Sequence, residues 1–297
     1  MQVWSDQRPR LEYFEYLEKG AKKLEDDQKS IIVGDGRIGS LLYELGGEND
    51  IMVRRGDTIP DEPGPVYLCT RNDSLGEIIE KCPENKKDDL VFIQNGYIEP
   101  VLQKYSLPED VTKANIYFAV TEKGAVPIDG VTEECPDGMT TATGRWSEAF
   151  RQRLKKAKTP LKCIVQNKRD YRRSMYDKLI WISAFNLIGS VHGNITMGDV
   201  AKRHKKEVKE MVGEMRHMCR ASLAVVLFPK LEERLLQYAS KVDFFPTALK
   251  EFQWRNGYFY NFSQIARENG FDDPTPMHTA YLLEGKEMGL IDWVHER

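Results

Sequence analysis

Three apolar residues, Ile31-Ile32-Val33, run directly into Gly34, Gly36 and Gly39 in the stretch SIIVGDGRIG (30–39). A buried strand that breaks into a glycine turn and then a helix is the dinucleotide-binding fingerprint. Gly34 permits the tight turn, Gly36 lets backbone approach a pyrophosphate, and Gly39 lets the helix pack closely on the strand. Asp35, Arg37 and Ile38 complete the loop. The helix start that follows offers unpaired N–H groups and a partial positive charge. An ordinary strand, turn and helix of an α/β protein would read the same way, so the residues downstream must decide.

With 297 residues, 41% of them hydrophobic and 30% charged, the chain can bury a real core in one large or two medium domains. A formal charge of -3 provides no electrostatic case for nucleic acid or an anionic membrane. No apolar stretch reaches the roughly 18 residues of a spanning helix, and the start MQVWSDQRPR lacks the layout of a secretory signal. Five widely spaced cysteines form no CxxC, which points to the cytoplasm or another reducing intracellular compartment. The five histidines are scattered and form no HExxH, so no metal site is expected.

Residues 1–28 precede the first strand as a helical extension, with an amphipathic pattern over Leu11–Leu24. After the fingerprint a helix is predicted from Arg37 to Leu45, then a strand over Ile51–Val53. Arg54 and Arg55 leave the end of that strand, about 20 residues past Gly34, where an NAD-binding fold usually carries a carboxylate. A guanidinium fork suits a ribose 2'-phosphate that a carboxylate would repel. The pattern therefore favours NADPH, with Asp57 as the one nearby acid that the turn could aim at the ribose. Further strands are predicted over Pro65–Thr70 and Asp89–Ile93, separated by a helix over Ser74–Lys81. Thr70 and Asn95 stand at strand ends, where ligands of parallel sheets bind. Asn95 either orients a nicotinamide ribose or substrate oxygen, or serves the Asn-Gly turn. Later strands are expected over Asn115–Val120, Val126–Ile128, Thr140–Gly144 and Leu161–Val165, closing an α/β dinucleotide-binding domain at 29–166.

A helical domain is predicted over 167–297. Arg172–Ile188 is a mostly apolar helix interrupted by Lys178, a residue costly to bury without a partner. It is either functional or snorkels to the surface. Ile182 and Asn186 share its broad helix side at roughly 40° and 80°. A second helix, capped by Asp199, is expected to run to Met218 or beyond. Its basic start reads as a solvated face, and Met211, Met215 and Met218 read as core. Residues 243–260, DFFPTALKEFQWRNGYFY, mix aromatic with polar groups and form either a cleft wall or a subunit contact.

Taken together, IIVGDGRIG with MVRR (52–55), FIQNG (92–96), MYDKLIWISAFN (175–186) and EFQWRNG (251–257) resemble the ketopantoate reductase (PanE/ApbA) family. That family is part of the group related to 6-phosphogluconate dehydrogenase, and the resemblance covers roughly residues 29–297. It implies a Rossmann-type domain, a helical domain and an active site between them, with NADPH reducing a small 2-oxo acid in a homodimeric enzyme that binds neither nucleic acid nor membrane. By motif it assigns Gly34, Gly36 and Gly39 to the pyrophosphate and Arg54, with Arg55, to the 2'-phosphate. Asn95 goes to the nicotinamide and substrate, Lys178 becomes the general acid, Asn186 a substrate ligand, Glu251 a partner of lysine or substrate, and Thr247 the counterpart of a substrate-binding serine. The chain departs from the pattern at Asn72, where the family carries a basic residue, and at Ile182, where it carries an asparagine. Those departures favour a second reading, a non-catalytic NADP(H)-binding scaffold or redox sensor; an NADP-dependent dehydrogenase of a hydroxy acid is a third.

Overall fold

A computed structural model describes residues 29–291; the extension 1–28, with its expected helix, and residues 292–297 lie outside the described residues. Strands β1 (Ile31–Val33), β2 (Ile51–Val53), β3 (Val66–Leu68), β4 (Leu90–Phe92), β5 (Thr112–Asn115), β6 (Thr141–Thr143) and β7 (Ile164–Val165) form one sheet in the order β2-β1-β3-β4-β5-β6-β7. The first five run parallel; β6 is antiparallel to β5, and β7 is parallel to β6. β1, β3 and β4 are buried along their whole length, as parallel strands covered on both faces must be. Their side chains alternate between two clusters. Ile32, Tyr67 and Val91 point to one face, while Ile31, Val33, Val66, Leu68, Leu90 and Phe92 point to the other. Helices α1 (Arg37–Glu44), α2 (Leu75–Lys81), α3 (Glu99–Lys104) and α4 (Ser147–Lys155) flank the sheet. The order reverses between β1 and β3, which opens a crevice at the carboxyl ends of those strands. A buried ion pair ties α4 to the opposite end: Arg153 Nη1 lies 2.6 Å from Asp50 Oδ2, and both side chains are 3% exposed.

The strand expected over 115–120 instead ends at Asn115. Its ladder with β4 runs only to Lys113 and its ladder with β6 only to Asn115, and the segment beyond is held by the pairing of Ala119 with Ile128. This frees Tyr117 from the sheet, and its ring packs into the core of the helical domain.

That domain contains α5 (Lys168–Val191), α6 (Met197–Arg203), α7 (Lys205–Leu223), α8 (Leu231–Lys241), α9 (Asn256–Glu268) and α10 (Pro276–Glu287). The 24 residues of α5 give it a length of roughly 36 Å. Asn167 caps it, accepting from the Asp170 amide, and it packs against α6, α7 and α10. The single helix expected from Asp199 is in fact two, broken at His204 (φ -113°, ψ 24°). Thr196 is its cap: Thr196 Oγ1 accepts from the Asp199 amide and donates to the Asp199 carboxylate. Met211, Met215 and Met218 are fully buried, as the stripe predicted. Among the described residues no helix is long and apolar enough to cross a membrane.

Candidate active site

The glycine loop follows from steric limits. Gly34 has φ +99°, in the region that side chains disfavour, and a Cβ on Gly39 would stand 1.8 Å from the Gly34 carbonyl oxygen. A Cβ on Gly36 would meet nothing within 4 Å, so the space above the loop is open. Gly36 is also the N-cap of α1 and provides no side-chain acceptor, which leaves the first N–H groups of the helix available to an anion. Arg37 fastens this loop across the crevice, donating from Nη1 to the carbonyls of Val120 (3.1 Å) and Thr121 (3.3 Å). Ile38 is half-buried beside it. Asp35 lies between Arg54 and Lys123, 3.6 Å from each. Arg54 and Arg55 are exposed at the end of β2. The Asp57 carboxylate accepts the Arg54 amide at 2.8 Å, which commits it to its own turn.

Polar groups without partners collect at the ends of β3 and β4. Thr70 Oγ1, Asn72 Oδ1 and Gln94 Oε1 are buried and make no hydrogen bond. Buried polar atoms ordinarily find a partner, so three orphans beside an open glycine loop suit a polar ligand. The open cradle, the uncapped helix start and these orphans fit a dinucleotide.

The helical domain meets the same loops. Trp254 accepts the Tyr97 amide at 2.7 Å through its carbonyl, and a Cβ on Gly96 (φ +132°) would lie 2.8 Å from that carbonyl oxygen. Glu251 adopts φ 50°, a left-handed conformation rare for a non-glycine residue. Its Oε1 accepts the Asn72 amide at 2.9 Å, and its Oε2 pairs with Arg255. The Asn95 carbonyl accepts from Asn72 Nδ2 at 2.9 Å and from Arg255 Nε at 3.4 Å. Asn95, Glu251, Asn72 and Arg255 therefore form one network across the two domains.

Lys178 reaches this region from α5. It is 6% exposed, and it lines a cavity of about 20 Å³ with Gln94, Gly96, Tyr97 and Asn115. Its ammonium stands 4.1, 4.5 and 5.3 Å from the ring centroids of Tyr117, Trp181 and Tyr238. Cation–π attraction supports it there, and no carboxylate pairs with it among the described residues. Burial, with the Arg255 guanidinium adding to it, lowers its pKa to about 7. Lys178 therefore does not snorkel.

Asn186 and Thr247 have other partners. Asn186 donates to the Ile182 carbonyl at 2.7 Å and accepts the Ala248 amide at 3.0 Å. Thr247 donates to the Ile195 carbonyl at 2.7 Å and sits against Gly189. These bonds brace the 247–248 segment on α5. The sequence reading missed Arg255 and the ring cage; the available signal was a cation just before Asn256-Gly257. Two of the histidines, scattered in sequence, meet in space: His192 and His204 each contact a different oxygen of Glu207, at 2.7 and 2.8 Å. With Tyr281 also donating to it, Glu207 is held down at about 2 despite partial burial.

No protein-family model and no curated protein matches the sequence. Solved structures do match in shape. Dimeric ketopantoate reductase from Staphylococcus aureus is 15% identical with a TM-score of 0.58, covering 87% of this chain and 99% of that one. 2-Dehydropantoate 2-reductase from Methylococcus capsulatus is 17% identical with a TM-score of 0.62, over 90% and 99%. D-Mandelate dehydrogenase in complex with NADH is 17% identical with a TM-score of 0.62, over 89% and 100%. A Rossmann-like sheet domain joined to a mostly helical domain, the fold that these solved structures share, is thus the fold of this chain.

Proposed function

We propose that this chain is an NADPH-dependent reductase that delivers hydride to the ketone of a small 2-oxo acid. The observation that carries the reading is Lys178, a buried lysine without an anionic partner among the described residues, facing the β4 end of an open dinucleotide cradle. When bound, the reduced nicotinamide supplies the hydride. Gly34, Gly36, Gly39, Asp35, Arg37 and Ile38 hold the pyrophosphate at the start of α1, and Thr70 and Asn95 border the ribose and nicotinamide. As negative charge grows on the ketone oxygen, Lys178 stabilises it and gives up a proton. Glu251 orients the cleft network, while Asn186 and Thr247 hold its floor. NADPH oxidation followed at 340 nm across a panel of 2-oxo acids tests the reading. Tight NADPH binding with no turnover on any of them would leave a nucleotide-binding scaffold instead. The S. aureus protein is described as dimeric; a homodimer is proposed for this chain and is read by sedimentation.

Arg54 and Arg55 give the cofactor a preference. Arg54→Gln is expected to weaken NADPH binding by about tenfold while leaving NADH unchanged, the scale of one charge-assisted contact at an exposed site. Fluorescence titration with both cofactors checks it; an equal loss for the two would place the arginine away from the 2'-phosphate.

A second reading has one observation in its favour. A lysine with a pKa near 7 is available as a neutral base, which suits oxidation of a hydroxy acid as well as reduction of a ketone. Turnover with NADP+ on hydroxy acids separates the two directions.

A further inference from the structure

We propose that Arg255 is the substrate's anion anchor, receiving the carboxylate of the 2-oxo acid so that its ketone faces Lys178. This rests on the 2-oxo acid reading for the identity of the ligand, and on the charge balance of the cleft for the presence of an anion. Arg255 is set deep, with its side chain 11% exposed. Its Nη2 donates to Glu251 and its Nε, at 3.4 Å, to the Asn95 carbonyl. Nη1 makes no hydrogen bond among the described residues. Among the described residues Glu251 is the one carboxylate in contact with the guanidinium, and its other oxygen is already taken by the Asn72 amide. On the opposite side of the balance stand Arg71, which repels Arg255, and Lys178, which Arg255 repels. Burial first, and Arg71 after it, act against the charge of Arg255, and Glu251 alone offsets them. Arg71 is itself paired with Asp73 at 3.0 Å, which leaves Arg255 and Lys178 as two buried cations beside the single carboxylate of Glu251. A planar guanidinium with unused donors matches a carboxylate in two parallel hydrogen bonds. Glu251 is a positioning residue here: it fixes the plane of the fork and has no free oxygen for Lys178.

The placement has a consequence for the proton donor. In the free protein the Arg255 charge makes the Lys178 ammonium more acidic. A carboxylate on Arg255 cancels that repulsion, so the lysine holds its proton more firmly once substrate is present. The substrate's own charge thus arms the general acid, and a neutral ketone of the same shape lacks that effect.

The test uses the full chain, with and without NADP+, titrated calorimetrically with oxamate, a planar isostere of a short 2-oxo acid. Wild type is expected to bind it saturably. Arg255→Met is expected to weaken binding by about 30-fold or more, and Arg255→Lys, which keeps the charge and loses the fork, by several-fold. Because Arg255→Met leaves Glu251 buried without its cation, the double variant Glu251→Gln/Arg255→Met and near-ultraviolet circular dichroism report whether the cleft is still folded. In turnover, KM for the acid is expected to rise far more than kcat falls in Arg255→Lys. The basic limb of the kcat profile is expected to lie above that of kcat/KM in wild type, and the two limbs to draw together in Arg255→Lys. Oxamate binding that is absent in wild type, or unchanged in folded Arg255 variants, overturns the anchor whatever the turnover. Absence of turnover together with Arg255-dependent oxamate binding overturns the reductase reading and leaves the anchor standing.

Discussion

Lys178→Met is expected to lower turnover of the 2-oxo acid by about 10²- to 10⁴-fold, the range for loss of a positioned general acid, while NADPH still binds. Methionine keeps the length and apolar stem of lysine, so the cage of Tyr117, Trp181 and Tyr238 remains filled. What disappears is the charge and the proton. Stability should change in the opposite sense to activity. The folded pKa of Lys178 lies near 7, below its ordinary 10.5. A depressed base contributes stability that is present above 10.5 and is lost as pH falls through about 7. At and below neutral pH the wild type therefore bears the full cost of a buried ammonium, and Lys178→Met is relieved of it. Denaturant melts of both proteins between pH 6 and pH 10 (about the span of the two pKa values) should show the wild type gaining stability with pH and the variant lacking that gain. In the reductive direction the protonated form is the active one, so kcat/KM of the wild type should fall as pH rises through about 7. Undiminished turnover by a folded Lys178→Met protein would remove the lysine from the chemistry.

Much of this site can be read in one dimension because its requirements are local. The glycine loop is a matter of backbone space between residues a few positions apart. An isolated lysine in MYDKLIWISAFN is conspicuous, and every residue around it from Tyr176 to Asn186 on α5 is buried. Arg255 is different. Its meaning depends on Glu251 meeting the amide of Asn72, 179 positions away, and on a left-handed backbone at Glu251 that no propensity announces. Asn186 and Thr247 illustrate the reverse problem. A motif identifies them as polar residues near a cleft, but only coordinates reveal that their hydrogen bonds go to Ile182, Ala248 and Ile195. The break at His204 has the same origin. AKRHKKEV reads as uninterrupted helix; at the break His204 meets Glu207, three residues on, and stacks on the distant His192 ring. β5 stops at Asn115, the last residue that pairs with β6, a fact about its neighbours rather than about the apolar run Ile116–Val120.

The glycine loop itself yields the sharpest contrast between two substitutions three positions apart. Gly39→Ala places a methyl carbon 1.8 Å from the Gly34 carbonyl oxygen and 3.2 Å from Cys69 Cβ. Backbone cannot yield as a flexible side chain would, so α1 has to move off β1. Overpacking of this kind is expected to destabilise the fold by about 1–3 kcal/mol and to dismantle the cradle with it. Gly36→Ala is the opposite case. Gly36 has φ -65°, ordinary for alanine, and its added carbon meets nothing within 4 Å. The fold should keep its melting temperature. The new methyl instead stands in the space through which a pyrophosphate approaches the backbone, so NADPH affinity is expected to fall by about 100-fold. Thermal melts and NADPH fluorescence titrations on the two variants separate packing from binding. Gly39→Ala should lose both stability and binding, and Gly36→Ala binding alone. A Gly36→Ala protein that binds NADPH like the wild type would mean that the open space above the loop is not where the cofactor's phosphates lie.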